Sequence, residues 1–448
     1  MPESAAEAFA ALRAEDDRHG PFPIEKRRDL LARLSDLMVE RRERFVASID
    51  ADFGGRGREE TLLAELLVIR EAVRHARSRL RAWARPRPVG VTLPFWPSRA
   101  WIVPQALGVV GILSPWNYPI QLALSPMVGA IAAGNRVVLK PSELAPRTAL
   151  ELARLVHDAV GPTVARTVLG GPEVAAAFVR QPFDHLLFTG SSQRGREVMR
   201  AAAEQLTPLT LELGGKCPAI VMPDADLDRT AGEIVLGKAL NAGQSCIAPD
   251  LVLVVGGRID LLRDALHRAF QRYYRDGLAT APATDMQKAR LARLTPSLEP
   301  LGFNGSGLSL AIRPEPSSPL LQEEIFGPIL PLSDCPDLAD ALEFVRSMPS
   351  PLAVYLFTAD RRIEARVLAA TRAGALVVNG TILQAAIEAL PFGGIGASGF
   401  GRYHGRAGFD TFSHQRVHVR AARRCLARLV EPPWNPRKRR LIDWLLGS

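Results

Sequence analysis

One of the four cysteines in this 448-residue chain lies in a setting that suits nucleophilic chemistry. Cys246 ends the sequence GQSC, a glycine-containing turn after the predicted helix Thr230–Ala242. A thiolate attacks a carbonyl carbon to give a tetrahedral adduct, provided that nearby dipoles or donors favour the ionised sulfur. The alternative is a buried cysteine that only fills space, and this interpretation is favoured when Cys246 is considered alone.

Two polar side chains elsewhere could assist such an attack. Glu212 opens ELGGK, where paired glycines allow a ligand to approach closely and the carboxylate could act as a general base. Asn117 lies in PWNYP, after the predicted strand Val109–Leu113, and its amide could donate to an oxyanion. The alternatives are a surface glutamate before a tight turn and a proline-bounded loop packed by aromatic rings.

Three further segments could hold an anionic or sugar-containing ligand. The sequence FTGSSQRG (188–195) joins a predicted strand to a helix, whose N-terminal N–H groups attract phosphate. Its glycine spacing matches neither the dinucleotide fingerprint nor the P-loop. Lys140 and Glu143 in LKPSE could hold ribose hydroxyls, and Glu324 in EEIFGP places a carboxylate near the ring of Phe326. A charged turn is the alternative for Lys140 and Glu143, and Glu324 taken alone would be unremarkable.

The elements that must position these residues alternate between short apolar strands and helices. Such alternation implies right-handed crossovers and parallel sheets, and its return after Glu212 indicates a second α/β domain. The predicted strands are Val109–Leu113, Arg136–Leu139, Val164–Leu169, His185–Phe188, Ala219–Met222, Leu251–Val255 and Leu376–Asn379. The predicted helices between the first of them are Leu122–Ala133, Thr148–Val160, Val174–Arg180 and Gly195–Gln205.

The flanking segments have other patterns. Residues Ile24–Asp50 and Glu59–Ala84 predict two long amphipathic helices. Val91–Val103 contains two prolines and predicts an extended arm or edge segment. Residues Ala281–Ser318 are rich in Pro, Gly and Ser and are predicted to form a loop.

Bulk composition excludes several classes of function. The net charge is +9 and the pI is near 9.8, but the charge is spread out and lacks a recognition motif, so nucleic-acid binding is not predicted. The cysteines lie far apart without metal-ligand spacing, and no metal site is predicted. No signal peptide and no apolar run of about 18 residues are present, so we expect a cytoplasmic protein.

Seven segments of the sequence, in order, resemble the aldehyde dehydrogenase superfamily. They are PWNYP, LKPSE, FTGSS, ELGGK, GQSC, EEIFGP and PFGGIGASGFGRYHG, and the resemblance runs from about Arg27 to about His418. YHGRAGFDTFSH and CIAPD resemble the class-3 branch. ADFGGRGREETLL and LGVVGILSPWNYPIQLAL are most similar to bacterial coniferyl aldehyde dehydrogenases.

The resemblance implies a role for each candidate residue. Cys246 is the nucleophile, the Asn117 amide and the Cys246 backbone N–H hold the oxyanion, and Glu212 activates the water that hydrolyses a thioester. The implied cofactor residues are Trp116, Lys140, Glu143, Gly190, Ser191, Gly195, Glu324 and Phe326. Because a carboxylate at Glu143 accepts from a free 2′-OH and repels a 2′-phosphate, NAD is expected, with NADP possible.

The implied fold has two parallel α/β domains and a small β oligomerisation arm. Residues 1–84 and 106–213 form the nucleotide-binding domain and residues 214–400 the catalytic domain. Residues 85–105 and 401–448 form the arm, whose strands are expected near Arg85–Gln105 and Gly401–Arg420, and the C-terminal tail. A homodimer and a small aldehyde substrate are implied, with a coniferyl-type aromatic aldehyde ahead of medium- or long-chain aliphatic aldehydes.

Departures from the family pattern keep alternatives open. Glu324 follows Cys246 by 78 residues, and this spacing is shorter than the family usually shows by about a dozen residues or more. A catalytically impaired binding paralogue is therefore one alternative. A cofactor-independent thiol hydrolase or acyltransferase is another, opposed by the cofactor motifs. Gly380 and Gln384 replace Asp and His in a loop at the substrate entrance, and Leu251 replaces an aromatic residue.

The C-terminal tail combines the basic sequence RKRR (437–440) with several large apolar residues. An amphipathic surface helix that contacts a membrane is one hypothesis. A tail packed against its own or a partner subunit is the favoured alternative.

Overall fold

The computed structural model describes residues 3–294, 298–301 and 307–447, and the strands of these residues form three sheets. Two sheets are mainly parallel with helices packed around them, and the third is a small antiparallel sheet. The predicted fold class is therefore confirmed. The described strands are β1 (Arg87–Val89), β2 (Arg99–Ala106), β3 (Val109–Leu113), β4 (Arg136–Lys140), β5 (Ala165–Thr167), β6 (His185–Gly190), β7 (Leu209–Leu213), β8 (Cys217–Val221), β9 (Pro249–Val255), β10 (Glu299–Pro300), β11 (Ser309–Ile312), β12 (Ile329–Cys335), β13 (Ala353–Phe357), β14 (Ala375–Val378), β15 (Gly399–Phe400) and β16 (Ser413–Arg420).

The helices follow the apolar periodicity of the sequence. The described α-helices are α1 (Ala5–His19), α2 (Ile24–Glu40), α3 (Arg42–Phe53), α4 (Arg58–Thr61), α5 (Val68–Trp83), α6 (Gln121–Ala133), α7 (Pro146–Val160), α8 (Pro172–Val179), α9 (Ser192–Ala203), α10 (Leu227–Ala239), α11 (Ile259–Tyr273), α12 (Asp285–Arg293), α13 (Pro319–Gln322), α14 (Leu338–Ser347), α15 (Arg361–Ala370), α16 (Leu383–Ala386), α17 (Gly405–Thr411) and α18 (Pro436–Leu445). A π-helical turn, Leu62–Leu67, joins α4 to α5. None of the described helices is both long and apolar enough to cross a membrane.

The first parallel sheet has the strand order β15-β7-β6-β3-β4-β5. Strands β3 to β7 run parallel to one another, and only the short β15 is antiparallel. The central strands β3 and β4 are almost entirely buried, which explains the uninterrupted apolar sequence of β3 and the apolar centre of β4. Because these strands are parallel, their carboxyl ends lie along one edge, where ligands bind in open α/β sheets.

The second parallel sheet has the order β10-β11-β12-β9-β8-β13-β14, and β10 is its antiparallel member. Strands β8, β9 and β13 are buried along their whole length. The residues between α10 and β9 contain Cys246, which therefore lies near the centre of this sheet and not at its margin.

The small third sheet, β1-β2-β16, lies in the segments where the strands of the arm were expected. Strand β16 pairs with β2 in an antiparallel register from Ser413–Ala106 to Arg420–Arg99. The outer half of β16 is exposed, and Val417 and Val419 are large apolar residues on its surface. Only Leu107 and Gly108 separate β2 from the buried strand β3.

Two predictions of secondary structure are wrong, one of them in part. The single helix predicted over Ile24–Asp50 is divided into α2 and α3 at Arg41, which has φ −92° and ψ 12°. Both halves pack against α7. Periodicity misses such a break because the apolar spacing resumes after one residue.

The loop predicted over Ala281–Ser318 is also wrong in part. The helix α12 begins at a Thr284 cap that accepts a hydrogen bond from the backbone N–H of Gln287, 3.1 Å away. Strand β11 adds to β12 in parallel. These elements are too short for a periodicity argument, and residues 295–297 and 302–306 of the predicted loop lie outside the described residues.

A fully buried ion pair connects the N-terminal helices to the segment after β3. Arg56 Nη1 lies 3.1 Å from Glu65 Oε1, and both side chains are inaccessible to solvent. The second carboxylate oxygen of Glu65 accepts hydrogen bonds from the backbone N–H groups of Ile120 and Gln121, at 2.7 and 2.9 Å. The arginine also lies over the ring of Tyr118, 5.0 Å from its centroid. These contacts fix the start of α6.

Replacing Glu65 by Ala should lower the free energy of unfolding by about 3–5 kcal/mol, because the buried Arg56 charge loses its partner. The measurement is chemical denaturation followed by circular dichroism and fluorescence. The exposed Glu59→Ala is the matched control and should leave the denaturation midpoint nearly unchanged. Equal midpoints for the two variants would show that the buried pair does not stabilise the fold.

Candidate active site

Four strands of the first sheet bring predicted site residues to the same edge. Lys140 and Gly190 are the last residues of β4 and β6, and Glu212 is the penultimate residue of β7. Asn117 follows β3 by four residues. The structure therefore gathers these residues from four separate segments of the sequence.

Cys246 is presented by a strained turn at the end of α10. Asn241 and Ala242 have φ near +53° and ψ near +33°, and Gly243 follows at φ +72°. A side chain at Gly243 is also excluded, because an added Cβ would lie 2.4 Å from the carbonyl oxygen of Gly327. Left-handed conformations in non-glycine residues cost about 1–3 kcal/mol each and are often found at functional sites.

Asn241, which the sequence analysis did not single out, stabilises this turn. Its Nδ2 donates to the carbonyl oxygens of Asn117 and Gln244, at 2.9 and 3.2 Å, and its backbone N–H donates to Glu60 Oε2. An asparagine at the end of a helix, before Ala-Gly, is a signal that could have identified it, because asparagine tolerates the left-handed region.

Asn117 is held directly against the cysteine turn. Its Nδ2 donates to the carbonyl oxygen of Gln244 at 3.1 Å, and its own carbonyl accepts from Arg56 Nη1, also at 3.1 Å. The side chain is buried, so the amide cannot turn out to solvent without breaking its bond to Gln244. One bond uses one of its two N–H groups, and the other N–H can serve a ligand.

Cys246 lines a cavity of about 380 Å³ whose walls are mostly apolar. The aromatic side chains in these walls are Tyr118, Tyr274, Phe392 and Tyr403. The segment that contains Gly380 and Gln384 contributes Ile382, Leu383, Ala385 and Ala386 to the same cavity, so it does border the space next to the cysteine.

The acidic residues near Cys246 are desolvated. Glu212 is only 3% exposed, and within the described part of the chain neither carboxylate oxygen has a hydrogen-bond partner. Burial raises the pKa of Glu212 well above its ordinary value. Burial, and then the charges of Glu324, Cys217 and Glu212, raise the pKa of the Cys246 thiol as well. A carboxylate without donors keeps its basicity, as a general base requires.

Glu324 lies against the glycines that follow Glu212. An added Cβ at Gly214 would lie 2.1 Å from Glu324 Oε2, so only glycine permits this approach. The other oxygen, Oε1, is buried and has no partner among the described residues. Burial and the charge of Asp250 raise the pKa of Glu324 to about 8.

A buried charge cluster anchors the loop that carries Glu324. Lys216 Nζ donates to Asp250 Oδ2 at 2.8 Å and to the carbonyl oxygen of Glu323 at 2.9 Å. Asp250 also accepts from Lys238 and from the backbone N–H of Ile325. Although burial raises the pKa of Asp250, the two lysines hold it below its ordinary value.

Helix α12 contacts the same loop from the other side. Arg290 donates to the carbonyl oxygens of Glu324 and Ile325, and Gln287 donates to that of Phe326. The shortened segment after Cys246 thus contains the residues that fix the Glu324 loop. The rings of Trp116 and Phe326, which were both expected to contact the cofactor, lie 5.8 Å apart in an edge-on arrangement.

The remaining predicted residues lie at the other strand ends. Lys140 Nζ and Glu143 Oε2 form a 2.7 Å ion pair in which the lysine is buried and the glutamate exposed. Ser191 caps helix α9. Gly195 lets α9 approach β7, because an added Cβ would lie 2.7 Å from Leu213 Cδ2. The start of α9 therefore offers backbone N–H groups next to the ends of β6 and β7.

Gln384, one of the departures from the family pattern, is connected through Tyr355 to the residue that follows Cys246. Its Nε2 donates to the hydroxyl of Tyr355 at 3.2 Å, and that hydroxyl donates to the carbonyl oxygen of Ile247. Sequence reasoning missed Tyr355, whose apolar strand gives no sign of this contact. No group of three or more potential metal ligands is found within the described ranges.

Comparisons with known proteins agree with this geometry. The model of the aldehyde dehydrogenase family matches residues 2–293 and 310–418. The chain is 40% identical to the probable coniferyl aldehyde dehydrogenase of Pseudomonas aeruginosa, over 92% of this chain and 90% of that protein. It is 36% identical to mouse aldehyde dehydrogenase family 3 member B3, over 94% and 91% of the two chains. The predicted resemblance to the class-3 branch is thereby confirmed.

Solved structures show the same fold. Staphylococcus aureus AldH in a substrate-bound state superposes with a TM-score of 0.93 and 32% identity, covering 99% of this chain and 100% of that one. Mycobacterium tuberculosis aldehyde dehydrogenase complexed with NAD+ gives a TM-score of 0.83 and 27% identity, covering 93% and 90%. The chain belongs to the aldehyde dehydrogenase family, and it is an oxidoreductase that acts on aldehydes.

Proposed function

We propose that this protein oxidises an aldehyde to a carboxylic acid with NAD, or less efficiently with NADP, through a thioester on Cys246. One observation carries the proposal: Cys246 lines an apolar cavity on a strained turn that is bonded directly to the amide of Asn117. Solution activity of the purified protein tests it. NADH formation at 340 nm would be followed with coniferaldehyde, benzaldehyde, hexanal and decanal.

Cys246 and Asn117 perform the first step. The Cys246 thiol first releases its proton to water, and the thiolate then attacks the carbonyl carbon while the carbonyl π electrons move to the oxygen. The free N–H of the Asn117 amide and the backbone N–H of Cys246 donate to this oxyanion. Both donors are fixed before the substrate arrives, so the step requires little reorganisation.

Glu212 performs the hydrolytic step. It accepts a proton from a water molecule whose oxygen attacks the thioester carbon, and the C–S bond breaks to release the acid and the Cys246 thiolate. The absence of hydrogen-bond donors to Glu212 among the described residues supports this role, because no other group competes for its lone pairs.

The residues at the strand ends fit a nicotinamide dinucleotide. Glu324, whose buried Oε1 has no partner among the described residues, would accept a hydrogen bond from a ribose hydroxyl, and Phe326 and Trp116 would offer aromatic surface to the cofactor. Lys140 and Glu143 would hold the second ribose, and Gly190, Ser191 and Gly195 leave the start of α9 open to the pyrophosphate. When bound, the nicotinamide accepts the hydride that leaves the substrate carbon.

An aromatic aldehyde of the coniferyl type suits the cavity best. Its aromatic walls can pack against a planar ring. The relative from Pseudomonas aeruginosa that is named for this substrate supports the assignment. A medium- or long-chain aliphatic aldehyde is the second candidate, because the lining also contains many aliphatic side chains.

The remaining proposals concern organisation. Residues 1–84 and 106–213 would bind the nucleotide, residues 214–400 would carry the chemistry, and the arm and tail would join two copies into a homodimer in the cytoplasm. The exposed apolar residues of β16 support an intermolecular role for the arm. The catalytically impaired paralogue is disfavoured, since α12 fixes the Glu324 loop despite the shorter segment.

Replacing Cys246 by Ala should lower the rate of NADH formation by about 10³-fold or more, because no thioester can form. Cys335→Ala is the matched control, since Cys335 is buried in a separate hydrophobic cluster. Its activity should stay close to that of the unmodified protein. Equal activity in both variants would rule out the thioester mechanism.

Replacing Glu212 by Gln should preserve acylation and block turnover. Stopped-flow measurement should show a burst of about one NADH per subunit, followed by a steady rate lowered by about 10²- to 10⁴-fold. If burst and steady rate both disappear in a folded variant, Glu212 is needed before thioester formation.

Because Glu212 must be ionised to accept a proton, and burial raises its pKa, turnover should increase as the pH rises through that pKa. This ascending limb of the pH profile of kcat should be missing from the residual activity of Glu212→Gln. The measurement is kcat at saturating substrate over a pH series. An unchanged limb in the variant would assign it to another group.

Replacing Glu143 by Ala should lower kcat/KM for NAD by about 10-fold or more, the loss expected for a hydrogen bond to a charged group. The kcat/KM for NADP should stay equal or rise, because a repelling carboxylate is gone. Glu40→Gln, on the exposed surface of α2, is the control. A parallel fall with both cofactors would contradict the proposed ribose contact.

A further inference from the structure

One face of helix α12 lies against the Glu324 loop, residues 323–327. Gln287, Arg290 and Leu291 are three and four residues apart, so they project from the same side of this helix. Leu291 lies so close to the loop that a Cβ added at Gly327 would be 2.4 Å from its Cδ2. The two hydrogen-bonding side chains of this face are therefore next to the loop backbone.

Arg290 bonds to two consecutive peptide groups of the loop. Its Nη1 donates to the carbonyl oxygen of Ile325 at 2.8 Å, and its Nη2 donates to that of Glu324. Gln287 Nε2 donates to the next carbonyl oxygen, that of Phe326. The planar guanidinium can serve two acceptors in a fixed geometry, which a lysine ammonium on its flexible stem does less well. One helix thus binds three successive carbonyl groups.

The backbone that is held in this way is strained. Phe326 has φ +53°, and a non-glycine residue keeps such a conformation only where its surroundings fix it. On the other side of the loop, Lys216 donates to the carbonyl oxygen of Glu323 at 2.9 Å, and Asp250 accepts from the backbone N–H of Ile325 at 3.0 Å. The loop is therefore held between the buried charge cluster and α12.

The start of α12 is anchored independently of Arg290. Gln244 Oε1 accepts from the backbone N–H of Ala283 at 2.8 Å, and its Nε2 donates to the carbonyl oxygen of Ala281 at 3.1 Å. The backbone N–H of Ala281 donates to the carbonyl oxygen of Gly55 at 3.1 Å. The helix can therefore keep its place when Arg290 is replaced, and the loss falls on the loop.

Arg290 fixes Glu324 without occupying the atom that is proposed to meet the cofactor. Its bond goes to the backbone carbonyl of Glu324, whereas the buried Oε1 has no partner among the described residues. A carboxylate that is already in place binds a ribose hydroxyl without the cost of ordering its loop first.

We propose that Arg290 is a positioning residue for the cofactor, which holds the loop so that the Glu324 carboxylate is set to accept a hydrogen bond from the nicotinamide ribose. The inference rests on the proposed ribose contact of Glu324. It assigns a function to the helix within the shortened segment after Cys246. Loss of Arg290 weakens binding of the nicotinamide half of NAD and leaves the adenosine half and the cysteine chemistry unchanged.

The experiment measures binding without turnover. Calorimetry gives the Kd of NAD and of ADP, which lacks the nicotinamide riboside, at about pH 9, where Glu324, with a pKa of about 8, is largely ionised. Arg290→Ala should raise the Kd of NAD by about 10-fold and leave that of ADP unchanged. Hydrolysis of p-nitrophenyl acetate without cofactor, with the rate of Cys246→Ala subtracted, should also stay unchanged, and thermal unfolding checks the fold.

Arg293→Ala is the matched control. Arg293 is an exposed arginine of the same helix, and it pairs with the side chain of Glu323 at 2.9 Å. Its replacement removes the same charge but no bond to the loop backbone, so the Kd of NAD should stay near that of the unmodified protein. Arg290→Lys keeps the charge and can bond to one of the two carbonyls, so its Kd should lie between those of Arg290→Ala and the unmodified protein.

A double-mutant cycle with Glu324→Gln tests whether Arg290 acts through that carboxylate. In the Glu324→Gln background, Arg290→Ala should raise the Kd of NAD no further. A full additional 10-fold rise would overturn the inference, and so would a Kd for Arg290→Lys equal to that of the unmodified protein, because charge alone would then suffice.

The other failures are distinct. If Arg290→Ala weakens NAD and ADP equally, or lowers ester hydrolysis to the same extent, Arg290 has only a structural role and the inference is overturned. If Glu324→Gln binds NAD as tightly as the unmodified protein does, the proposed ribose contact fails, and the inference fails with it. If the folded, unmodified protein does not bind NAD, the proposed function itself fails.

Discussion

The buried contact between Arg56 and Glu65 is the interaction on which the site depends most. It joins two residues of the N-terminal helical region to the segment after β3, and Arg56 also donates to the carbonyl oxygen of Asn117. Asn117 in turn bonds to the turn that presents Cys246. A buried pair is seldom a net gain over apolar packing, but losing one partner is costly. Its role here is best understood as fixing one conformation of a segment that would otherwise be an irregular loop.

The second constraint is electrostatic. Cys246 lies near Glu212 and Glu324, and the pKa values of both carboxyl groups are raised by burial. No described cation offsets this effect enough to bring either pKa down to its ordinary range. Lysine charge is instead directed to Asp250, behind the loop. The pKa values of Glu212 and Glu324 therefore stay raised, and the two lysines lie behind the loop that carries Glu324. This distribution suits chemistry that needs a proton acceptor next to a sulfur nucleophile.

Much of this arrangement could be predicted from sequence, and the limits have physical causes. Strands such as Val109–Leu113 were predicted with correct bounds, because buried parallel strands have uninterrupted apolar sequences. Helix α12 was missed because nine residues give too little periodicity. Asn241 and Tyr355 were missed because their importance arises from contacts across the fold, to Asn117 and to Ile247, which no local pattern contains.

The junction between arm and core has a mechanical consequence. Strand β2 enters the buried strand β3 after only Leu107 and Gly108, and both of these backbone N–H groups are bonded to the Asn135 side chain. The partner strand β16 follows directly on α17, which begins next to His404. Two short connections therefore join the third sheet to the core, and residues after β3 and before α17 both line the cavity that contains Cys246. Because neither connection is longer than two residues, a shift of the third sheet relative to the core would displace residues that line this cavity.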